Sequence, residues 1–460
     1  MSAPRIAGID QDRLAAFAVT EARRFAKSRP KSAAVHAAGA AHWLGGVPMH
    51  WMRDWSSPFP LVVARAEGAR IEDIDGYELD DFCLGDTGSM FGHSPAPVAR
   101  ALRRQARRGL TYMLPSADSA EAGAQLTRVF GDFRWQIAAT ATDANRYALK
   151  VARAVTRRPK VVVFDGAYHG TLDETMVALE GGQTVPRPGL VGQVFDLRKA
   201  AVAVPFNDLA ALEAALQTGE VAAILTEPVM TNSCMVLPEP GFLDAVQALA
   251  TRHGALFILD ETHTLSTGRG GYAQVHGLKP DALVVGKAVA GGLAAAVWGL
   301  SPALAAGFAE AESRRSPGHS GMGTTLSGNP MQFAALCACL TEVMTPKAHA
   351  RMERGAARLE AGLARVIARH GLAWHVVRVG ARVEFICAPG PLRNGAEAAR
   401  AHHPRLEGAL HLGLVNRGCL IAPFHNMMLV SPVTKKRQID RLIAAFDEVL
   451  TQLRLEEEPA

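Results

Sequence analysis

Residues 256–296 read LFILDETHTLSTGRGGYAQVHGLKPDALVVGKAVAGGLAAA. The apolar run Leu256-Phe257-Ile258-Leu259 stops at an acid, Asp260, and a second run, Ala282-Leu283-Val284-Val285-Gly286, stops at Lys287. Short apolar runs bounded by turn residues read as buried strands. Open α/β sheets bind ligands beyond the carboxyl ends of their strands, and both charged residues fall there. Two readings of the pair stand side by side. One is a strand-end acid and an unrelated surface lysine. The other is a matched set for pyridoxal phosphate, with the lysine amine forming a Schiff base and the carboxylate partnering the ring nitrogen.

The same grammar extends outward. Between residues 120 and 303, the apolar runs 161–164, 222–225, 257–259 and 283–285 alternate with helical stretches such as 208–216 and 241–253. Strand–helix alternation predicts an α/β fold with a mainly parallel sheet sandwiched by helices. Upstream, residues 11–27 suit an amphipathic helix. Residues 61–65 and 70–74 alternate around Glu67-Gly68, and Asp75-Gly76 signals a tight hairpin, so this segment reads as an antiparallel meander. Downstream, the pattern changes to helices over 330–343, 347–370 and 436–453 with strands near 374–377 and 383–386, a smaller α+β domain. The expected division is an N-terminal segment 1–95, a large domain 96–327 and a C-terminal domain 328–460. Residues 181–192, rich in glycine and proline, read as a loop.

Composition bounds the function. At 460 residues, 48% hydrophobic and 20% charged, the chain matches an ordinary globular enzyme of more than one domain. Its formal charge of +5 is spread out, with no basic block of the kind that binds nucleic acid. The six cysteines show no CxxC pair, which fits buried thiols in a reducing compartment. The first thirty residues lack the apolar core of a signal peptide, and no apolar run reaches membrane-spanning length. A cytoplasmic location is expected. Asp260, Glu261 and His263 lack metal-ligand spacing, and no G-x-S-x-G occurs, so neither a metal site nor a serine hydrolase is expected.

Further residues join the strand-end pair. Thr140-Ala141-Thr142-Asp143-Ala144 opens a helix, where free N–H groups suit a phosphate, although a plain N-cap by Thr142 explains the same residues. Gly166-Ala167-Tyr168-His169-Gly170 could bring an aromatic ring over a ligand or simply pack a turn tyrosine. Asn232 follows Glu227-Pro228-Val229, and Thr324-Thr325-Leu326-Ser327-Gly328-Asn329-Pro330 enters another helix. Trp51, Arg53 and Trp55 cluster in a loop, either as packing or as a pocket wall with an anion clamp.

Assembled, these motifs resemble the class III aminotransferases of the pyridoxal-phosphate fold type I superfamily, over about residues 45–450. The resemblance runs to the branch holding glutamate-1-semialdehyde aminomutase and β-amino-acid aminotransferases. It implies a seven-stranded-type sheet and pyridoxal 5′-phosphate held by Ala141, Thr142, Tyr168, Asn232, Asp260, Thr262, Lys287 and Thr325. In that scheme Lys287 is the Schiff-base lysine and Asp260 the ring-nitrogen partner. Thr262 stands where a valine packs under the ring, and Asn232 meets the phenolic oxygen. Thr325 reaches the neighbouring subunit's phosphate, which implies a homodimer. The implied reaction is transfer of an amino group from a β- or ω-amino acid, or related amine, to an oxo acid by way of pyridoxamine phosphate. The alternative is an aminomutase, racemase or ammonia-lyase on the same scaffold. The stretch DETHTLSTGRGG departs from the family's usual DEV-x-T-G-F-R, with Arg269 a loose substitute for the missing arginine. Trp51, Arg53, Asp86 and His425 fall at or near substrate-pocket positions, and no metal is implied.

Overall fold

The computed structural model describes residues 5–423 and 425–454. The chain divides into two compact units, the first drawn from residues 1–94, 350–391 and 400–460 and the second from 95–349 and 392–399.

The second unit is built on a seven-stranded sheet. Its strand order is Ala201–Val204, Lys160–Phe164, Val221–Thr226, Leu256–Asp260, Ala282–Val285, Ala296–Leu300, Arg134–Ala138. Neighbours are parallel as far as Ala282–Val285, and only Ala296–Leu300 runs antiparallel to both strands beside it. The strands Val221–Thr226 and Ala282–Val285 are buried at every position because helices cover both faces, which is why they read as unbroken apolar runs. Strand parity divides the work. Val163, Leu225, Ile258 and Val284 share a core with Ala144, Ala148 and Val151 of the helix Ala141–Thr156. Phe164, one residue out of step, points the other way and meets Phe206 and Phe242, with ring centroids 5.1 and 5.6 Å away. The mainly parallel sheet expected from the alternation is therefore present, with seven strands.

Several boundaries differ from the sequence reading for local reasons. The helix Pro330–Ala338 packs on the helices Ala96–Ala106 and Asp118–Phe130, so the second unit continues past the expected break at residue 327. That helix ends in a π turn, Cys339–Val343. Gly181 and Gly182 form the turn of a hairpin between Val177–Glu180 and Gln183–Pro186, so the expected loop over 181–192 begins as ordered structure.

In the first unit, the meander Val63–Glu67, Arg70–Asp73, Glu78–Asp81 is joined in parallel by Cys419–Leu420. A second sheet pairs His375–Val379, Arg382–Ile386 and Met427–Leu429. Phe82, Phe385, Leu410 and Phe446 meet in one core with residues from the helices Gln11–Ser28, Pro404–Asn416 and Lys436–Arg454. Among the described residues no helix is long and apolar enough to cross a membrane.

Candidate active site

Asp260 and Lys287 stand at the carboxyl ends of adjacent parallel strands, in register through the Asp260–Val284 pair. The Asp260 carboxylate is buried, and both of its oxygens accept hydrogen bonds. Its Oδ2 takes the His169 Nδ1 contact at 3.0 Å and an N–H from the Asn145 side chain at 2.8 Å. Its Oδ1 accepts from the Thr262 hydroxyl at 2.6 Å and the Thr262 amide at 3.1 Å. Burial alone would raise this carboxyl, but His169, Thr262 and Asn145 outweigh burial and hold it below the ordinary carboxylate value. The strand end therefore presents a fixed negative charge. Thr262 keeps the β-branched shape expected of it and adds a hydroxyl donor that valine lacks.

The helix Ala141–Thr156 is capped by Thr140, whose hydroxyl accepts from the Asp143 amide at 3.2 Å, rather than by Thr142. Thr142 is thereby released from capping, and its Oγ1 accepts from the Thr171 amide at 3.2 Å. The amides of Ala141 and Thr142 lie outside the intrahelical ladder at the positive end of a sixteen-residue helix, an arrangement suited to a phosphate. Gly170, at φ +85°, makes the approach feasible, because a Cβ there would sit 2.1 Å from Thr142 Oγ1. Gly286 does the same beside Lys287, where a Cβ would lie 2.8 Å from the Ala141 methyl.

Tyr168 follows the strand Lys160–Phe164 and is 37% exposed. Asn232 is exposed on the turn between Met230 and Val236. Two ties hold these loops together. Ser233 donates to the Gly166 carbonyl at 2.8 Å, and buried Glu227 accepts from the Tyr168 amide at 3.4 Å and from the Thr231 hydroxyl. Burial raises the Glu227 carboxyl above its ordinary value, against His169 and the Thr231 hydrogen bond. Lys287 has a left-handed backbone, φ +47°, a conformation that costs a side-chain-bearing residue energy and persists where surroundings enforce it. Its Nζ lies 2.9 Å from His263 Nε2. Arg269 is bonded to the Met344 carbonyl at 3.1 Å.

The second unit thus brings Ala141, Thr142, Tyr168, Asn232, Asp260, Thr262 and Lys287 to one end of its sheet. Thr325 is exposed in the turn before the helix Pro330–Ala338. The donor set fits pyridoxal phosphate: an anion for a protonated ring nitrogen, helix amides for a phosphate and an amine for the carbonyl carbon. Asn145, His169, Glu227 and His263 belong to this cluster without having been assigned roles from the sequence. His169 lay inside the quoted glycine-flanked turn, and Asn145 is a polar residue on the buried side of an otherwise apolar helix face, which is the signal it offered.

The four substrate-pocket residues belong to the first unit. Trp51 and Arg53 share the exposed 3₁₀ turn His50–Arg53, and Trp51 lines an apolar cavity of about 280 Å³ with Phe25, Trp55 and His93. Asp86 is third in a run of four left-handed residues, Leu84 to Thr87, with φ of 47°, 59°, 46° and 83°. The turn is anchored by buried Arg382, which donates to the Thr87 hydroxyl. His425 Nδ1 lies 3.4 Å from Glu384 Oε2. Arg382 and Glu384 are two apart on one strand and so share a face, which ties both the Asp86 turn and His425 to that strand.

Comparison with known proteins gives a consistent result. The profile described as aminotransferase class-III matches residues 51–450. A glutamate-1-semialdehyde 2,1-aminomutase of Sorangium cellulosum is 35% identical over 431 residues, covering 92% of this chain and 96% of that protein. The crystal structure of a glutamate-1-semialdehyde-aminomutase from Pseudomonas aeruginosa PAO1 superposes with a TM-score of 0.95 at 46% identity, covering 97% of this chain and all of that one. A lysine-to-alanine variant of the Pseudomonas protein was solved in complex with PMP. A β-phenylalanine aminotransferase from Variovorax paradoxus superposes with a TM-score of 0.83 at 27% identity, covering 95% and 97% of the two chains.

Proposed function

The chain belongs to the class-III aminotransferase family, and on that premise we propose that it exchanges an amino and an oxo group within one small substrate, as an aminomutase does. Its cofactor is pyridoxal phosphate, which supplies a carbonyl to capture an amine and a protonated ring to take up carbanion charge. The chain's own residues divide the remaining tasks. Asp260 holds a proton on the ring nitrogen, because a buried carboxylate with three donors stays ionised. Lys287 Nζ moves protons to and from the substrate carbon as general base and acid. The amides of Ala141 and Thr142 bind the phosphate, and Tyr168 and Asn232 orient the ring. We also assign Trp51, Arg53, Asp86 and His425 to the substrate, and a second copy of the chain to the partner contacted by Thr325.

The similarity to aminomutases over more than nine-tenths of the chain carries this reading and favours it over the transfer between two substrates expected from the sequence. Intermolecular transamination stands as the second reading. It is supported by the departure DETHTLSTGRGG and by the likeness to the β-phenylalanine aminotransferase. Incubating the purified enzyme with glutamate-1-semialdehyde alone separates the two. Formation of its 5-amino-4-oxo isomer without an added amino acceptor supports the aminomutase. Turnover only when an amine donor is paired with pyruvate or 2-oxoglutarate supports the transaminase. Lys287→Ala abolishes turnover under either reading.

A further inference from the structure

The stretch that departs most from the family's wording also carries a side-chain contact of the reactive amine. His263 follows Asp260 by three residues and caps the 3₁₀ turn Thr264–Thr267. That turn is clamped from beneath by buried Glu261, which accepts from the Thr264 hydroxyl at 2.6 Å, the Tyr272 amide at 2.8 Å and the Ala273 amide at 2.5 Å. The Glu261 carbonyl accepts from the Leu265 amide at 3.1 Å, and the His263 carbonyl accepts from the Ser266 hydroxyl at 3.1 Å. His263 is 5% exposed, so its ring is held by packing as well as by the turn. Its Nε2 sits 2.9 Å from Lys287 Nζ, a hydrogen-bond distance.

Resting on the amino-transfer reading above, we propose that His263 is a second catalytic residue, which exchanges a proton directly with Lys287. An amine and an imidazole nitrogen at this distance share one proton between two nitrogens. When Lys287 takes a proton from the substrate carbon it becomes an ammonium. One N–H bond on Nζ then breaks, a new N–H bond forms on His263 Nε2, and the positive charge passes to the imidazole. Lys287 is left as an amine. The reverse transfer returns the proton for the reprotonation step, so protons and charge balance over the cycle and no oxidant or further reactant is needed. A deuteron delivered to Lys287 already mixes with the other two ammonium hydrogens by rotation about the Cε–Nζ bond. Passing it on to His263 Nε2 adds a further route by which it leaves the pair, so more label is lost than from a lysine acting alone.

The test compares the native enzyme with His263→Gln, which keeps polarity and rough size but cannot carry the proton, and with His263→Ala. Three results are expected. In His263→Gln, kcat falls about 10²–10³-fold with little change in KM, the usual scale for a lost proton-transfer group. Free imidazole restores part of the rate to His263→Ala. With a substrate deuterated at the amino-bearing carbon, the native enzyme releases the label to solvent, and His263→Gln retains several-fold more. A fourth readout uses cofactor-free protein: alkylation of Lys287 at one fixed pH, scored against the other lysines by mass spectrometry, differs about tenfold between the native protein and His263→Gln, on the scale of one lost hydrogen bond, and an equal rate overturns the contact. Native rate and native label release in His263→Gln overturn the proposal, as does a folded, slow His263→Ala that imidazole does not rescue. Should neither variant fold, near-complete retention of deuterium by the native enzyme overturns it. If the native protein takes up no pyridoxal phosphate, the functional reading fails instead, and the alkylation comparison still decides the pair.

Discussion

Asp260 shows how much one residue type can depend on its neighbours. Fully buried, its carboxyl would rise, yet three side-chain donors hold it below the ordinary value. Thr262 supplies one of them, at 2.6 Å, in place of the family's valine. Thr262→Val removes that donor while keeping the branched shape, so the Asp260 carboxyl rises. Because catalysis needs the anion, the acid limb of the kcat–pH profile moves to higher pH in the variant, with the neutral-pH rate little changed. An unshifted profile would mean that His169 and Asn145 suffice. Asp260 and Lys287 were legible in the sequence because each ends an apolar strand. Asn145 and His169 were not, since their role depends on contacts 115 and 91 residues away along the chain. His263 was weighed only as a metal ligand, because nothing in DETHT reveals that its ring meets the end of the next strand.

At the scale of elements, the site is a set of loops at strand ends, aligned by close approaches and by hydrogen bonds between loops. Gly170 against Thr142 is the tightest of these. Gly170→Ala combines a left-handed backbone, φ +85°, with a Cβ 2.1 Å from Thr142 Oγ1, so the turn and the helix entrance must part. The expected result is at least a tenfold rise in the dissociation constant for pyridoxal phosphate, about 1.4 kcal/mol, read by titrating the apoenzyme. The helix entrance itself was legible from Thr140-Ala141-Thr142, but its cap was not. Threonines two residues apart offer the same chemistry, and only the backbone decides that Thr140 caps and Thr142 is left for the Gly170 turn. Likewise Gly181-Gly182 reads as a loop until the flanking strands are seen to pair.

Across the whole molecule, two expectations follow. His411 is buried in the first unit, and burial, helped by the nearby His425, pushes its imidazole down to about 4 from the usual 6.5. The folded state therefore binds fewer protons than the unfolded one between those values. Stability is intact above about 6.5 and is lost as pH falls towards 4, by on the order of 3 kcal/mol. Urea denaturation at pH 7 and pH 5 should show about 2 kcal/mol of that loss in the native protein and a smaller one in His411→Gln; equal losses would contradict it. The second expectation concerns association. Leu110, Met113 and Leu114 are exposed by 57%, 78% and 68% in one short segment, a patch that a second copy of the chain would cover. If the dimer proposed above uses this patch, Met113→Asp with Leu114→Asp shifts sedimentation towards monomer and weakens cofactor retention. The two-unit division was only partly legible, because the N-terminal meander takes Cys419–Leu420 as its fourth strand, a pairing more than three hundred residues apart that no local pattern announces.

The strand Arg134–Ala138 leads directly into the helix entrance proposed to bind phosphate, yet it lies at the sheet's edge and, among the described residues, its one strand neighbour is Ala296–Leu300. During synthesis, then, the phosphate cradle has its sequence early and its anchor late. Until the ribosome has released the chain through residue 300, that strand has nothing to pair with, and both Asp260 and Lys287 will already have emerged. A nascent chain should gain the ability to retain pyridoxal phosphate in one late step, when the antiparallel strand inserts, rather than gradually as the individual contact residues appear. Stalled chains of increasing length, scored for cofactor capture, would reveal that step or its absence.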